Sequence, residues 1–262
     1  ACSPMKMARP STSSGHAPAL QTATDLNAYA PTGSAGRGFV VFVRADDLLT
    51  LDETRQSEGR IVYRLETQSC SSSLMQYALA LKKLMMADPS RWAVLDIVRS
   101  LDLADCWVGA GFVRDAVWDN LHGRMPSELT ADIDVIWFGS DDSKAAKDRA
   151  LEAELHTIRP DLNWSVKNQA RMNERNGDAD YRSATDAMCF WPETATAVAV
   201  RRSEQDQCEI AAPFGLDDLF ELRLTAAGRF ANEKRSVFLE RLEQKQWLQR
   251  YPKLRIIDRL VR

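Results

Sequence analysis

CWVGAGFVRDAVWDNLHGRMPSELTADIDVIWF, residues Cys106 to Phe138, is the stretch on which the fold turns. It reads as a short buried strand, a turn at Gly109-Ala110-Gly111, a helix to Gly123, a loop, and a second strand carrying Asp132 and Asp134. Residues i and i+2 of a strand share a face. Two carboxylates set among Ile133, Val135, Ile136 and Trp137 bury badly without a cation. Mg²⁺ prefers a few carboxylates together with water and phosphate oxygens. Two such ions would activate an attacking hydroxyl and steady a leaving pyrophosphate. The free N–H groups and dipole of a helix opening on a glycine turn can hold a phosphate. Each element also has a plainer reading: an ordinary tight turn, and a strand end whose acids cap the chain or pair with arginine.

Other chemistries fall away around this stretch. A dinucleotide-binding fingerprint needs a third glycine at position 114, which is Arg114, and a lone acid, not a DxD pair, some 20 residues on. No GxxxxGK[ST] loop occurs, nor GxSxG, nor a Ser/His/Asp or Cys/His arrangement. Five scattered cysteines without a CxxC pair suggest neither a zinc cluster nor a disulfide framework, and fit reduced thiols in a cytoplasmic protein. A net charge of −3 over 262 residues does not suggest a strongly basic nucleic-acid binder. No run approaches the length of a membrane span.

Outward from the centre, residues 1–73 form a distinct N-terminal extension, expected to be flexible or weakly ordered. Its first 37 residues cluster Ser, Thr, Pro, Gly and Ala around a single acid, Asp25. Gly38–Leu49 and Arg60–Thr67 read as strands, and the Ser-rich run at 69–73 as a loop. Residues 74–262 read as one α+β domain. Two helices with Leu and Met stripes flank Asp88-Pro89-Ser90, with Ser90 as N-cap of the second. A helix ending at Pro160 leads to a strand at Leu162–Asn168. TATAVAVRR and QCEIAAP form a hairpin, and one amphipathic helix runs toward Pro252 before LRII. The tryptophans around WPET read as core rather than as a base-stacking platform. Lys167, Asn168, Gln169 and Arg171 cluster at a strand end, where a cation with amide donors can bind phosphate and base. Bracing of the loop is the plainer role.

GFVRD followed by DIDV resembles the nucleotidyltransferase superfamily of DNA polymerase β, above all the head domain of CCA-adding enzymes and bacterial poly(A) polymerases with their GGxVRD…DxD pattern. WSVKNQARM, WPETATAVAVR and EIAAPFGLDDLF extend the likeness to a bacterial branch of small nucleotidyltransferase-like proteins, over about residues 75–257. The resemblance implies a mixed sheet flanked by helices and a two-ion Mg²⁺ site. It also implies transfer of a nucleotidyl group from an NTP to an acceptor (RNA, protein or small molecule) with release of pyrophosphate. Asp132 and Asp134 would bind metal, and Glu209, on a later strand, would complete the site as metal ligand or base. Equally, Glu209 could face Arg201 or Arg202 across the hairpin. Gly109, Ala110 and Gly111 would approach the triphosphate, and Arg114 and Asp115 would orient the turn or form a structural ion pair. The long helical tRNA-binding body does not follow the head-like region here. That leaves room for an inactive nucleotide-sensing or partner-binding, antitoxin-like module on the same fold.

Overall fold

The computed structural model describes residues 68–140 and 144–257. The strands expected at 38–49 and 60–67, and nearly all of the N-terminal extension, lie outside them. Helix α1 runs Gln68–Ala87 and takes in the Ser-rich run read from composition as a loop. Helix propensity is a weak prior, and a favourable stretch such as Leu74–Ala87 carries a few poor residues at its N-terminal end. Helix α2, Pro89–Arg99, is capped not by Ser90 but by Asp88, whose Oδ1 accepts from the Arg91 amide at 3.0 Å. The reason is Pro89: its fixed φ and missing N–H suit the first helical position, which makes the residue before it the cap.

Strand β1, Trp107–Gly109, leads into α3, Gly111–Leu121, and β2 is Ile133–Trp137. Helix α4, Ala145–Ile158, connects β2 to the parallel strand β3, Trp164–Asn168. Short helices α5 (Met172–Asn176) and α6 (Ala184–Met188) precede the antiparallel hairpin β4 (Ala199–Arg202) and β5 (Cys208–Ala211). The sheet order is β3-β2-β1-β4-β5. Beyond it, α7 (Asp217–Phe220) leads to β6 (Arg223–Thr225), which pairs in parallel with β7 (Arg255–Ile257). The amphipathic helix expected before Pro252 is two helices, α8 (Arg235–Lys245) and α9 (Trp247–Arg250), broken where Gln246 turns left-handed at φ 49°.

The two faces of the five-stranded sheet differ in side-chain size, and that positions everything else. Val108, Ile133, Val135, Val166, Val200 and Ile210 project to one face and pack with Leu81, Met85, Val94, Leu95, Val113 and Leu155 of α1 to α4. The other face carries Gly109, Ala199 and Ala211 in one row. Small residues let α6 come down close, with Ala184 and Met188 buried against Trp107 and Ile136. α6 packs against Trp107 and Ile136, while Asp134, Ser165 and Lys167 on this same face line an open cleft.

Candidate active site

At the end of β1 the chain turns through Ala110, with φ 53° and ψ −123°, a conformation that side chains bearing a Cβ rarely adopt. The turn is pinned on both sides. The Ala110 amide donates to the Val198 carbonyl at 3.1 Å, and its own carbonyl accepts the first helical bond, from the Arg114 amide at 3.0 Å. The first-turn amides of α3, on Gly111, Phe112 and Val113, have no acceptor within the helix, and no side chain caps them. Gly109 is buried rather than open to a ligand: a Cβ there would lie 3.2 Å from Ala199, from the Trp191 ring and from the Val198 carbonyl. Its role is close packing, so the expected approach of a triphosphate falls to Ala110 and Gly111.

Asp134 pairs directly across from Gly109, and Ser165 of β3 stands beside it on the other side. Its side chain lines the cleft. Burial raises its carboxyl above the ordinary range, and the negative charge of Asp132 raises it further, against the opposing pull of Arg114, Lys245 and Lys167. Among the described residues no side chain donates a hydrogen bond to it. Asp132 precedes β2, is exposed, and accepts from the Asn163 amide group. One carboxylate is thus half-buried and unpartnered, with a second two residues away, which suits a bound cation.

Three of the cations around the cleft are held by acids. Arg114 is buried, bonded by Nε and Nη2 to Asp115 at 2.9 and 2.7 Å and by Nη1 to Thr196 at 3.2 Å, with its guanidinium over the Trp118 and Trp247 rings. Arg250 reaches the other oxygen of Asp115 at 3.1 Å. The Arg114–Asp115 pair is therefore an ion pair built into the fold, which holds the start of α3. The Lys167 ammonium, on the cleft, is steadied by Glu152 at 2.7 Å. Arg241 grips the fully buried Glu193 at 2.6 and 3.2 Å.

The other expected nucleotide ligands are not brought together with these. The Asn168 side chain bridges both polar groups of Gly139, at 2.8 and 3.2 Å, and caps the Ala170 amide at 3.0 Å. Arg171 pairs with the buried Asp148, which also receives the Trp137 indole and the Asn168 amide. Both residues brace the turn after β3. Glu209 is also displaced. Its register partner is Arg201, with which it forms a 2.6 Å ion pair, and the Arg201 guanidinium lies 4.1 Å from the Trp107 ring centre. From β2 to β5 is three strand spacings, roughly 14 Å, so Glu209 does not join the aspartates. It lines a different cleft, with Arg99, Cys106 and Arg202. Among the described residues no three His, Cys, Asp or Glu side chains gather to hold a metal. Asp132 and Asp134 are the two carboxylates at this end of the cleft, and their neighbour on β3 is Ser165 rather than a third acid.

The cleft itself measures about 260 Å³. Besides Ala110, Asp134, Ser165 and Lys167 it is lined by Gln169, Asn176, Trp191 and Arg241. Sequence reasoning placed Trp191 in the core and passed over Ser165 and Arg241. Alternation along β3 does put Ser165 and Lys167 on one face. That this face meets Asp134 depends on the parallel register, which no local signal carries.

A mixed five-stranded sheet, with the glycine turn and the aspartate strand adjacent in its centre, is the polymerase-β-like nucleotidyltransferase fold. A family model described as nucleotidyltransferase matches residues 96–256, and the chain belongs to that family. It is similar to a protein whose solution structure is described as revealing a CCA-adding enzyme head domain: 32% identity, TM-score 0.62, over 68% of this chain and 94% of the other. It also matches a CCA-adding enzyme in complex with CTP (18% identity, TM-score 0.47) and the Thermotoga maritima CCA-adding enzyme complexed with tRNA (17%, 0.47), each over 68% of this chain. The chain covers 43% and 42% of those two proteins. No curated protein matches it in sequence. Among the described residues no helix is long and apolar enough to cross a membrane.

Proposed function

We propose that the cleft binds a nucleoside triphosphate with Mg²⁺ and transfers its nucleotidyl group to an acceptor hydroxyl, releasing pyrophosphate. The observation that carries this reading is the register of Asp134 against Gly109, which sets an unpartnered carboxylate beside the turn that leads into the uncapped N-terminus of α3. A metal-binding group and a phosphate-binding group then share one row of the sheet. The Gly111–Val113 amides would receive phosphate oxygens, and Lys167 would add positive charge from the β3 side. Asp132 and Asp134 would hold Mg²⁺, which when bound supplies neutralisation of phosphate charge and polarisation of the attacked phosphorus centre. Positioning by the turn and neutralisation by the cations are what the chain's own residues contribute. The acceptor's class, whether RNA, protein or small molecule, is left open by this site, and a cytoplasmic setting is part of the same proposal.

Thermal unfolding with each of the four NTPs, with and without Mg²⁺, tests the reading on wild type and on Asp132→Asn and Asp134→Asn. Saturation at about 100 times the dissociation constant adds roughly 2.7 kcal/mol of stability. Stabilisation that requires Mg²⁺ and disappears in both variants is the expected result; equal stabilisation in the Asp134→Asn protein would sink the assignment.

A second reading is favoured by one observation, the commitment of Glu209 to Arg201. On it, the cleft binds nucleotide as a sensing or partner-binding module without turnover. Incubation with γ-labelled NTP and Mg²⁺ separates the two: release of labelled pyrophosphate supports the enzyme, and tight binding with none supports the module.

A further inference from the structure

Four tryptophans of the domain give their indole N–H to a fixed acceptor. Trp107 donates to Asp105 at 2.7 Å, Trp118 to the Leu219 carbonyl at 3.2 Å, Trp137 to Asp148 at 3.0 Å and Trp164 to the Arg159 carbonyl at 3.1 Å. Trp191 differs. It is only half-buried, its N–H has no acceptor among the described residues, and no ring or cation there stacks on it. Yet it lines the cleft together with Asp134, Ala110 and Lys167. Its Cη2 edge lies 3.2 Å from where Gly109 would carry a Cβ, and Gly109 is the cross-strand partner of Asp134. A large aromatic surface, packed along part of its area on the cluster of Trp107, Ile136 and Ala199, therefore stands beside the candidate metal and phosphate groups with its indole N–H unspent.

We infer that Trp191 is the platform on which the base of the bound nucleotide stacks, which makes Gly109 the residue that lets the platform come close enough. The inference rests on the nucleotide reading above and adds to it the group that grips the base. Every base has a π-face, so a ring recognises nucleotides over bare phosphates without choosing among bases. Ile136, Met172 and Pro192 add apolar surface to the same cleft. Ribose then bridges from Trp191 to the α-phosphate between Asp134 and the start of α3. The neighbouring amides of Gln169 and Asn176 lie within the same cleft, but both already give a hydrogen, to the Lys167 carbonyl and to the Tyr181 hydroxyl.

Calorimetric titration of the full chain with Mg²⁺–ATP and with Mg²⁺–tripolyphosphate tests this on wild type, Trp191→Leu and Trp191→Phe. Base–aromatic stacking measured by truncation corresponds to roughly 5- to 150-fold in affinity. The expected result is a loss in that range for ATP in Trp191→Leu, unchanged tripolyphosphate affinity, and most of the ATP affinity kept in Trp191→Phe. Gly109→Ala, which crowds the ring edge as well as Ala199 and the Val198 carbonyl without touching ligand, should follow Trp191→Leu once its melt has been checked. Equal weakening of both ligands in Trp191→Leu, or of neither, would overturn the platform while leaving the phosphate site standing. A wild-type protein that binds neither ligand would overturn both readings together. Trp191→Phe, with its ring retained and its melt checked, separates lost stacking from lost fold.

Discussion

Asp134 and Glu209 stand on the same face of one sheet and have opposite fates. Glu209, at the β4–β5 edge, is matched by Arg201 directly across the hairpin, and Arg201 is itself seated on Trp107. Asp134, near the centre, faces a glycine on one neighbour and a serine on the other. Its carboxyl is pushed up by burial and by Asp132. A carboxylate with its cation supplied by the fold is finished; one without it is poised for something the fold does not contain. The difference comes from the register of the neighbouring strands: the hairpin sequence offers Glu209 an arginine or a metal site, and only the pairing chooses Arg201.

The sharpest way to break the comparison is to make a finished carboxylate unfinished. Arg241→Met leaves Glu193 fully buried without its partner. Breaking such a pair costs about 3 kcal/mol or more, to be read from urea unfolding; a loss under about 1 kcal/mol would show that burial alone does not make an acid depend on its partner.

Asp134→Asn comes next. Mg²⁺-dependent nucleotide binding should fall roughly 100-fold, about 2.7 kcal/mol, while the ligand-free protein becomes more stable at neutral pH. The sign follows from the raised carboxyl. Stability is fully present below the ordinary value of 3.8, where folded and unfolded forms are both protonated, and is lost as pH rises through the folded value. The melting difference between variant and wild type should therefore open above pH 3.8 and then level off. A difference that stayed flat with pH would mean that Asp134 carries no burial penalty.

Ala110→Gly sharpens the other half of the site. Removing the Cβ from a left-handed residue should add about 1 kcal/mol of stability, the relief of strain exceeding the entropy cost of glycine. A loss instead would show the turn to be unstrained. The smallest effect belongs to Glu209→Gln. Its pair with Arg201 is one-third exposed, so stability should change by about 0.5 kcal/mol or less, with nucleotide affinity untouched. If that variant lost Mg²⁺–NTP binding, Glu209 would belong to the site after all and the contrast would collapse.

The sequence by itself determined the parts whose signal is local. The strand–turn–helix at Trp107–Leu121, the apolar Ile133–Trp137 strand with its two acids, the hairpin at 199–211 and the mixed α+β order all follow from alternation, helical period and turn chemistry. So does family membership, carried by GFVRD and DIDV. Local reading failed where two rules competed within a few residues, as at Asp88 against Ser90 for the cap of α2, and at Gln246, where one left-handed residue splits a helix that periodicity drew as continuous.

Only the tertiary structure decided which acid, amide or ring meets which. Parallel register sets Ser165, not a carboxylate, beside Asp134; hairpin pairing gives Glu209 to Arg201; and Asp148, on α4, claims Arg171. These outcomes are long-range. A strand's faces can be read from its own residues, but its neighbours and its offset against them are set by how all the side chains of both faces pack at once.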